Sequence, residues 1–409
     1  MNVPKLRFKE FNDEWQSINL ATVFQYFATN SFSRDQLSES GILKNLHYGD
    51  IHRKYNSIVN ENDEITSYVK DINYDNKYEL LKNNDLIFAD ASEDYEGIGK
   101  AVEVLNVNNK TISGLHTILA RDNLNVFAPM FKGYYFNSPI VHNQLRVLAN
   151  GFKVYGISKD SINKLNIKVP STNEQSKIAN TLYLLDKKIE LQTKKIEDLK
   201  LFKKGLLDII FNNNFINSKK LNELNIIVSD GNYGELYPKS NELTDIGEVP
   251  FIRVNNLVDL HLTFNNMKYI TKEKHASLLS GHLQENDILI TTRGDIGKVA
   301  IVDKKFIDAN INAQIALLRL NNKSEVIPYY LLEYLNYNYN YIQTFITGSA
   351  LKQLPIKNLM KLQIKFPSIE IQRKYSKLLI IYNKKIGIEN QILDKLNELK
   401  KGLMQSMFV

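Results

Sequence analysis

The sequence predicts an α+β protein made of one unit written twice, in which two β-rich globules are each followed by a long helix. Three observations predict it: a helical segment that returns residue for residue, a fainter repeat ahead of each helix, and strand-turn-strand patterns confined to those leading segments.

The helical repeat is the strongest of the three. Val169-Pro170-Ser171-Thr172-Asn173-Glu174-Gln175 through Phe211 returns as Phe366-Pro367-Ser368-Ile369-Glu370-Ile371-Gln372 through Phe408. Both copies carry a Lys-Lys-Ile triplet (Lys187-Lys188-Ile189, Lys384-Lys385-Ile386) and leave through Lys-Lys-Gly-Leu (Lys203-Lys204-Gly205-Leu206, Lys400-Lys401-Gly402-Leu403). Apolar residues at Ile178, Leu182, Leu185, Ile189, Ile196, Leu199, Leu206 and Ile210 follow steps of four and three once two polar positions are allowed. This is a heptad seam, the pattern that lets helices pair. Its second copy reads Tyr375, Leu379, Tyr382, Ile386, Leu393, Leu396, Leu403 and Met407. The interruptions agree as well, Gln192 with Glu389 and Lys203 with Lys400, and polar residues inside a seam fix register. Two unrelated amphipathic helices lying on separate cores would not preserve both the prolines at the start and the breaks. At 1.5 Å per residue each helix spans on the order of 60 Å. The duplication is expected to set the two helices antiparallel about an internal pseudo-two-fold axis, with the N-terminal segment beside the second helix.

The globules repeat more faintly. Asp85-Leu86-Ile87-Phe88 followed by Ile98-Gly99-Lys100-Ala101-Val102 has its counterpart in Asp287-Ile288-Leu289-Ile290 followed by Ile296-Gly297-Lys298-Val299-Ala300. Each reads as strand, glycine turn, strand. Pro129 to Gly151 parallels Pro328 to Gly348, and Lys164 to Lys168 parallels Lys361 to Lys365. The expected boundaries are 1–160 for the first globule, 161–211 for the central helical region, 212–357 for the second globule and 358–409 for the distal helical region.

With 409 residues and 43% apolar content, the chain can bury a core in each globule. A net charge of +7 leans towards a polyanionic partner. The absence of cysteine excludes disulfides and thiolate metal sites, and the seven histidines show no metal-ligand spacing. The N-terminal residues form no apolar run of signal-peptide length, and no stretch is long enough to span a bilayer, so a cytoplasmic protein with no membrane partner is expected.

The duplicated pattern Lys-Leu-x-Ile-Lys-x-Pro-Ser, a Gln, then a Lys-rich heptad helix ending Lys-Lys-Gly-Leu resembles the specificity subunit of a type I restriction-modification system across essentially the whole chain. Pro4-Lys5-Leu6-Arg7-Phe8 with Trp15, and the tract from Asp287 to Gly297, are similar to that family too. The resemblance implies that each globule is a target recognition domain reading half of a split site in double-stranded DNA. The helices would then space the readers and dock two methyltransferase subunits, through which motor and nuclease subunits join. It implies no cofactor in this chain: S-adenosylmethionine, ATP and Mg belong to the partners.

DNA contacts are expected from polar and cationic residues at turns. In the first globule these are Lys44, His47, Arg53, Lys54, Tyr55, Ser92 and Lys100. In the second they are Tyr233, Arg253, Asn255, Asn256, Arg293, Lys298 and Gln314. Arginine forks suit guanine, and Asn or Gln suit adenine. Tyrosine is abundant, with 22 residues, so a given Tyr is more often core or strand surface than a stacking platform.

Catalysis is the competing class. A glycine-rich cofactor loop and an Asn/Asp-Pro-Pro-aromatic tetrapeptide are both lacking, and Glu96-Gly97-Ile98-Gly99-Lys100 and Arg293-Gly294-Asp295-Ile296-Gly297-Lys298 fit hairpin turns. Asp85 and Asp287 read as strand starts, because no acidic partner recurs beside both. No catalytic or metal-binding residue is assigned. A coiled-coil scaffold that binds protein only explains the helices but not the polar loops.

Overall fold

The computed structural model describes residues 3–65, 67–70, 78–95, 97–149, 151, 154–212 and 217–409. Two compact units divide the chain, Met1–Lys195 with Glu389–Val409 in one and Ile196–Ile388 in the other. The two helical regions are therefore not bodies of their own, because each unit takes part of both.

In the first unit a five-stranded sheet runs in the order Phe24–Phe27, Thr117–Asp122, Leu86–Ala89, Ala101–Leu105, Ile58–Asn60. A smaller sheet joins Lys44–Leu46 in parallel with Thr111–Ser113. The second unit repeats both. Its main sheet runs Ile226–Asp230, Ile315–Leu320, Ile288–Thr291, Val299–Ile301, and its smaller one joins Val249–Ile252 in parallel with Asn310–Ile311. The glycine strings are hairpin connections as expected: Gly99, Gly294 and Gly297 hold positive φ between antiparallel strands. Glu96 lies outside the described residues.

Thr172–Phe211 forms a 40-residue helix and Ile369–Ser406 one of 38. Each opens after a Pro-Ser pair that cannot continue a helix backwards, with Glu174 or Glu370 in the first turn against the positive helix end. Within the first unit Lys400 reaches Asp186 at 2.6 Å, and Gln192 donates from Nε2 to Glu389 Oε2 at 2.7 Å. The helical segments therefore run antiparallel there. Within the second unit Phe202 stacks on Tyr382 at 5.1 Å between centroids. The polar interruptions Gln192 and Glu389 thus meet each other, and Lys195 adds an ion pair to Glu389 at 2.7 Å.

The seam is inside along its length but serves two purposes. Leu185, Ile196 and Leu396 are buried, and Ile189, Leu199, Ile386 and Leu393 half-buried, along the helices. Ile178 and Leu182, assigned above to helix pairing, lie in the first globule's core with Phe88, Phe131 and Tyr135 as well as Met404 and Met407 of the other helix, and Leu379 lies in the second with Ile290 and Tyr330 as well as Leu207 and Ile210. Leu206 and Leu403 pack on the margins of these cores. A helix end lying on a sheet buries more apolar surface against it than a neighbouring helix alone provides.

Two buried polar devices fasten each unit. Gln175 accepts from Ala128 N at 2.8 Å and donates to Val126 O and Pro170 O; Gln372 accepts from Ile327 N at 3.0 Å and donates to Glu325 O and Pro367 O. The strand-start aspartates are held by arginine forks, Arg121 on Asp85 at 2.7 and 2.8 Å and Arg319 on Asp287 at 2.8 and 2.6 Å. Both carboxylates also accept from the backbone three residues earlier, at Lys82 and Gln284. A carboxylate saturated this way is a framework group.

Candidate nucleic-acid interface

In the second globule the strand Ile288–Thr291 ends in the turn holding Arg293, Gly294 and Gly297. Thr291 Oγ1 accepts from Lys298 N at 2.9 Å and fixes that turn. The exposed Arg293 places its guanidinium carbon 5.3 Å from the centroid of the Tyr233 ring and donates from Nη2 to Gln353 Oε1 at 3.2 Å. Tyr233 is anchored in turn, its hydroxyl lying 2.9 Å from both Ala313 O and Asp230 Oδ2. Burial first and Asp230 second push its pKa up to about 12, so the phenol keeps its proton.

The next loop joins this cluster through the backbone. Thr292 N donates to Gln314 O at 2.7 Å, and Asn312 N to Ile252 O at 2.9 Å, which brings Arg253 and Asn255 alongside. Gln314 is exposed, its Oε1 accepting from Asn312 Nδ2 at 3.1 Å. Arg253 is half-buried and donates to Asn266 O at 2.6 Å, Asn255 is exposed, and Lys298 is exposed and paired with Asp295 at 2.7 Å. The result is a cation stacked on an aromatic ring beside an amide and a second guanidinium, groups suited to base edges and phosphates.

The first globule uses the same frame. His47 caps the helix Tyr48–Arg53 at the end of the strand Lys44–Leu46, where Arg253 caps the turn Val254–Asn256 at the end of Val249–Ile252. His47 Nδ1 accepts from Gly49 N at 3.1 Å; burial first, then the charge of Arg34, hold its pKa below the ordinary value. Arg53 and Lys54 are exposed, Lys54 pairing with Asp50 at 3.3 Å. Lys100 is half-buried and donates to His52 O at 3.2 Å; burial first, then Lys400, lower its pKa.

Five expected contacts are corrected by burial, the first being His47, which is 5% exposed and spends its Nδ1 on Gly49 N. Lys44 is 7% exposed and spends its ammonium on Glu61, at 2.9 Å to the carbonyl and 3.0 Å to the carboxylate. Tyr55 lies in the core with its hydroxyl on Glu64 O, and Ser92 is buried, accepting from Asp94 N. Asn256 is fully buried and organises its loop through Arg253 N, Thr263 O and Asn265 O. Groups so committed and covered support the loops that others project from. Conversely, Asp230, Asn312 and Gln353 belong to the cluster without having been predicted. Asn312 lies two residues before Gln314 and Asp230 three before Tyr233, so both neighbour expected contacts, whereas Gln353 is distant from all of them in sequence.

Among the described residues no group of acidic and histidine side chains could hold a metal, and no helix is long and apolar enough to cross a membrane.

The chain matches the family model for the type I restriction modification DNA specificity domain twice, over residues 12–201 and 213–398. It is similar to the putative type I restriction enzyme MjaX specificity subunit of Methanocaldococcus jannaschii, 26% identical over 355 residues, covering 82% of this chain and 80% of that protein. It is also similar to the type I restriction enzyme EcoBI specificity subunit of Escherichia coli, 28% identical over 185 residues, 43% of this chain and 37% of that one. Its fold resembles the S subunit of the type I restriction-modification system of M. genitalium, with a TM-score of 0.63 at 15% identity over 100% of this chain and 99% of that chain. A chain from a structure concerned with complex assembly of the type I system gives a TM-score of 0.56 at 16% identity, covering 95% of this chain and 96% of that one. With two copies of the domain over most of its length, the chain belongs to the type I restriction-modification DNA specificity family.

Proposed function

We propose that this chain is the DNA-reading subunit of a type I restriction-modification complex in the cytoplasm, reading a bipartite asymmetric site with one globule per half and docking two methyltransferase subunits on its helices. One observation carries the reading: Arg293 stacked on Tyr233 beside Gln314 and Arg253 in the second globule, on a frame that the first globule repeats with its own exposed cations Arg53 and Lys54. One frame with different side chains reads different sequences, so the two halves of the target differ. Chemistry belongs to the partners: S-adenosylmethionine binds the methyltransferases, and ATP and Mg serve the motor and nuclease subunits they recruit.

Methylome sequencing of cells expressing the chain with its methyltransferase tests this directly. The expected result is methylation within one split motif with two unlike halves. A companion measurement is the salt dependence of the complex on duplex DNA. Phosphate contacts give a steep fall with salt, whereas a protein-only scaffold shows neither DNA binding nor a motif, and that result would overturn the reading.

A further inference from the structure

We propose that His116, oriented by Asp90, is a base-reading residue of the first globule and occupies the place that Gln314 holds in the second. The assignment rests on the DNA-reading function proposed above and names a specificity-determining residue within it.

Three backbone hydrogen bonds equate the positions. Ala89 N donates to Lys100 O at 2.8 Å, as Thr291 N does to Lys298 O at 2.9 Å. Asp90 N donates to His116 O at 3.1 Å, as Thr292 N does to Gln314 O at 2.7 Å. Ile157 N donates to Asp90 O at 2.9 Å, as Leu354 N does to Thr292 O at 2.9 Å. His116 therefore corresponds to Gln314, Asp90 to Thr292, and Ala91 to Arg293. The first globule has no arginine at that turn, so its direct reading must come from other side chains.

His116 is built to project. Its backbone sits at φ +54°, a left-handed conformation uncommon for a residue with a Cβ. The loop is pinned on either side, with Thr117 Oγ1 donating to Gly114 O at 2.5 Å and lying 2.8 Å from Ser113 Oγ. The side chain stays 51% exposed, with Nδ1 3.3 Å from Asp90 Oδ1. Its ring meets Tyr48 edge-on at 5.3 Å, and Tyr48 packs on His47 at 4.7 Å. With Nδ1–H given to the carboxylate, the neutral ring presents Nε2 as an acceptor. The matching major-groove donor is the exocyclic amino group of adenine or cytosine.

The test uses the full chain with its methyltransferase, mapping methylated sites in cellular DNA for the parent, His116→Ala, His116→Asn and Asp90→Asn. Asparagine tolerates left-handed backbone while shortening the reach, so it separates a lost contact from a strained loop. The expected result for both His116 variants is that one position of the first half-site loses at least roughly tenfold of its discrimination while the second half keeps its sequence. Asp90→Asn should weaken the same position by a smaller factor. An unchanged first half-site in both His116 variants overturns the assignment, as does equal loss at both halves. Arg293→Ala, mapped in parallel, keeps the two readings apart: if it relaxes the second half while both His116 variants leave the first unchanged, only the His116 assignment fails, whereas a parent without a split motif sinks the wider function.

Discussion

The guanidinium of Arg293 lies over the ring of Tyr233, 5.3 Å from its centroid, and Tyr233 is itself fixed to Ala313 O and Asp230. Stacking leaves the planar fork's edge for a base or phosphate while its orientation is already set, which lowers the entropy lost on binding. Replacing Arg293 by Ala should weaken reading of the second half-site by about 1–3 kcal/mol and leave the first alone. Arg293→Lys should recover little of this, since an ammonium carries charge without the fork. Measured on duplexes altered in one half at a time, equal losses at both halves would mark Arg293 as structural.

The arginine forks on Asp85 and Asp287 predict a different outcome, a loss of stability. Asp287 is 1% exposed, and Asp287→Ala would strand Arg319 and Gln284 N together. Removing one partner of a buried pair costs about 3–5 kcal/mol, and the 26% exposure of the Arg319 side chain puts this one near the lower end. Urea unfolding should show the second globule destabilised in Asp287→Ala, and the first in Asp85→Ala. An unchanged midpoint in either would contradict the framework role.

His47 links the first globule to acid. Because burial and Arg34 hold its folded pKa below the unfolded value, the folded state takes up the proton less readily. This titration leaves stability untouched above about pH 6.5, and stability is lost as pH falls from there towards the folded pKa. Protonation also removes the Nδ1 acceptor that caps Gly49 N. His275, lowered by burial and then by His282, adds a loss of the same sign in the second globule. His47→Asn keeps a good cap without a titrating ring, so its melting temperature should fall less than the parent's between pH 7 and pH 5. Parallel curves for the two proteins would refute the assignment.

The heptad seam and its matched breaks were legible in the sequence because helix pairing is a periodic, local constraint: Gln192 and Glu389 were matched by position and meet in space. The strand-turn-strand cores were legible for the same reason. Fine site assignment was not, because exposure is settled by contacts distant in sequence. Lys44 reads like any loop lysine, yet Glu61 captures it, and Asn256 reads like Asn255 although one is fully buried and the other exposed. The heptad does not show that its ends also face a sheet, as they do at Ile178, Leu182 and Leu379, where the globule cores join the seam.

The duplication reaches into the cores, and this makes a truncated chain informative. Met404, Met407 and Phe408 bury in the first globule's core; Leu207, Ile210 and Phe211, their counterparts in the repeat, bury in the second's. A chain ending at Phe211 would lack the first set, together with the bond from Leu6 N to Ser406 O. A second copy of the truncated chain carries the missing shapes, and its Lys203 stands where Lys400 meets Asp186. Two such chains should pair through Leu207, Ile210 and Phe211, giving a homodimer with a true two-fold axis. Pairing will be weaker than in the intact chain because association costs translational and rotational entropy, and methyltransferase binding to both helices can offset this. With its partners, the dimer should methylate an inverted repeat of the first half-site. Ile210→Lys in the truncated chain should abolish both dimer and methylation, because it places an unpaired charge in an apolar core. Sedimentation and methylome mapping decide the matter: a monomer that still methylates the parental asymmetric site would show that the two halves are not interchangeable.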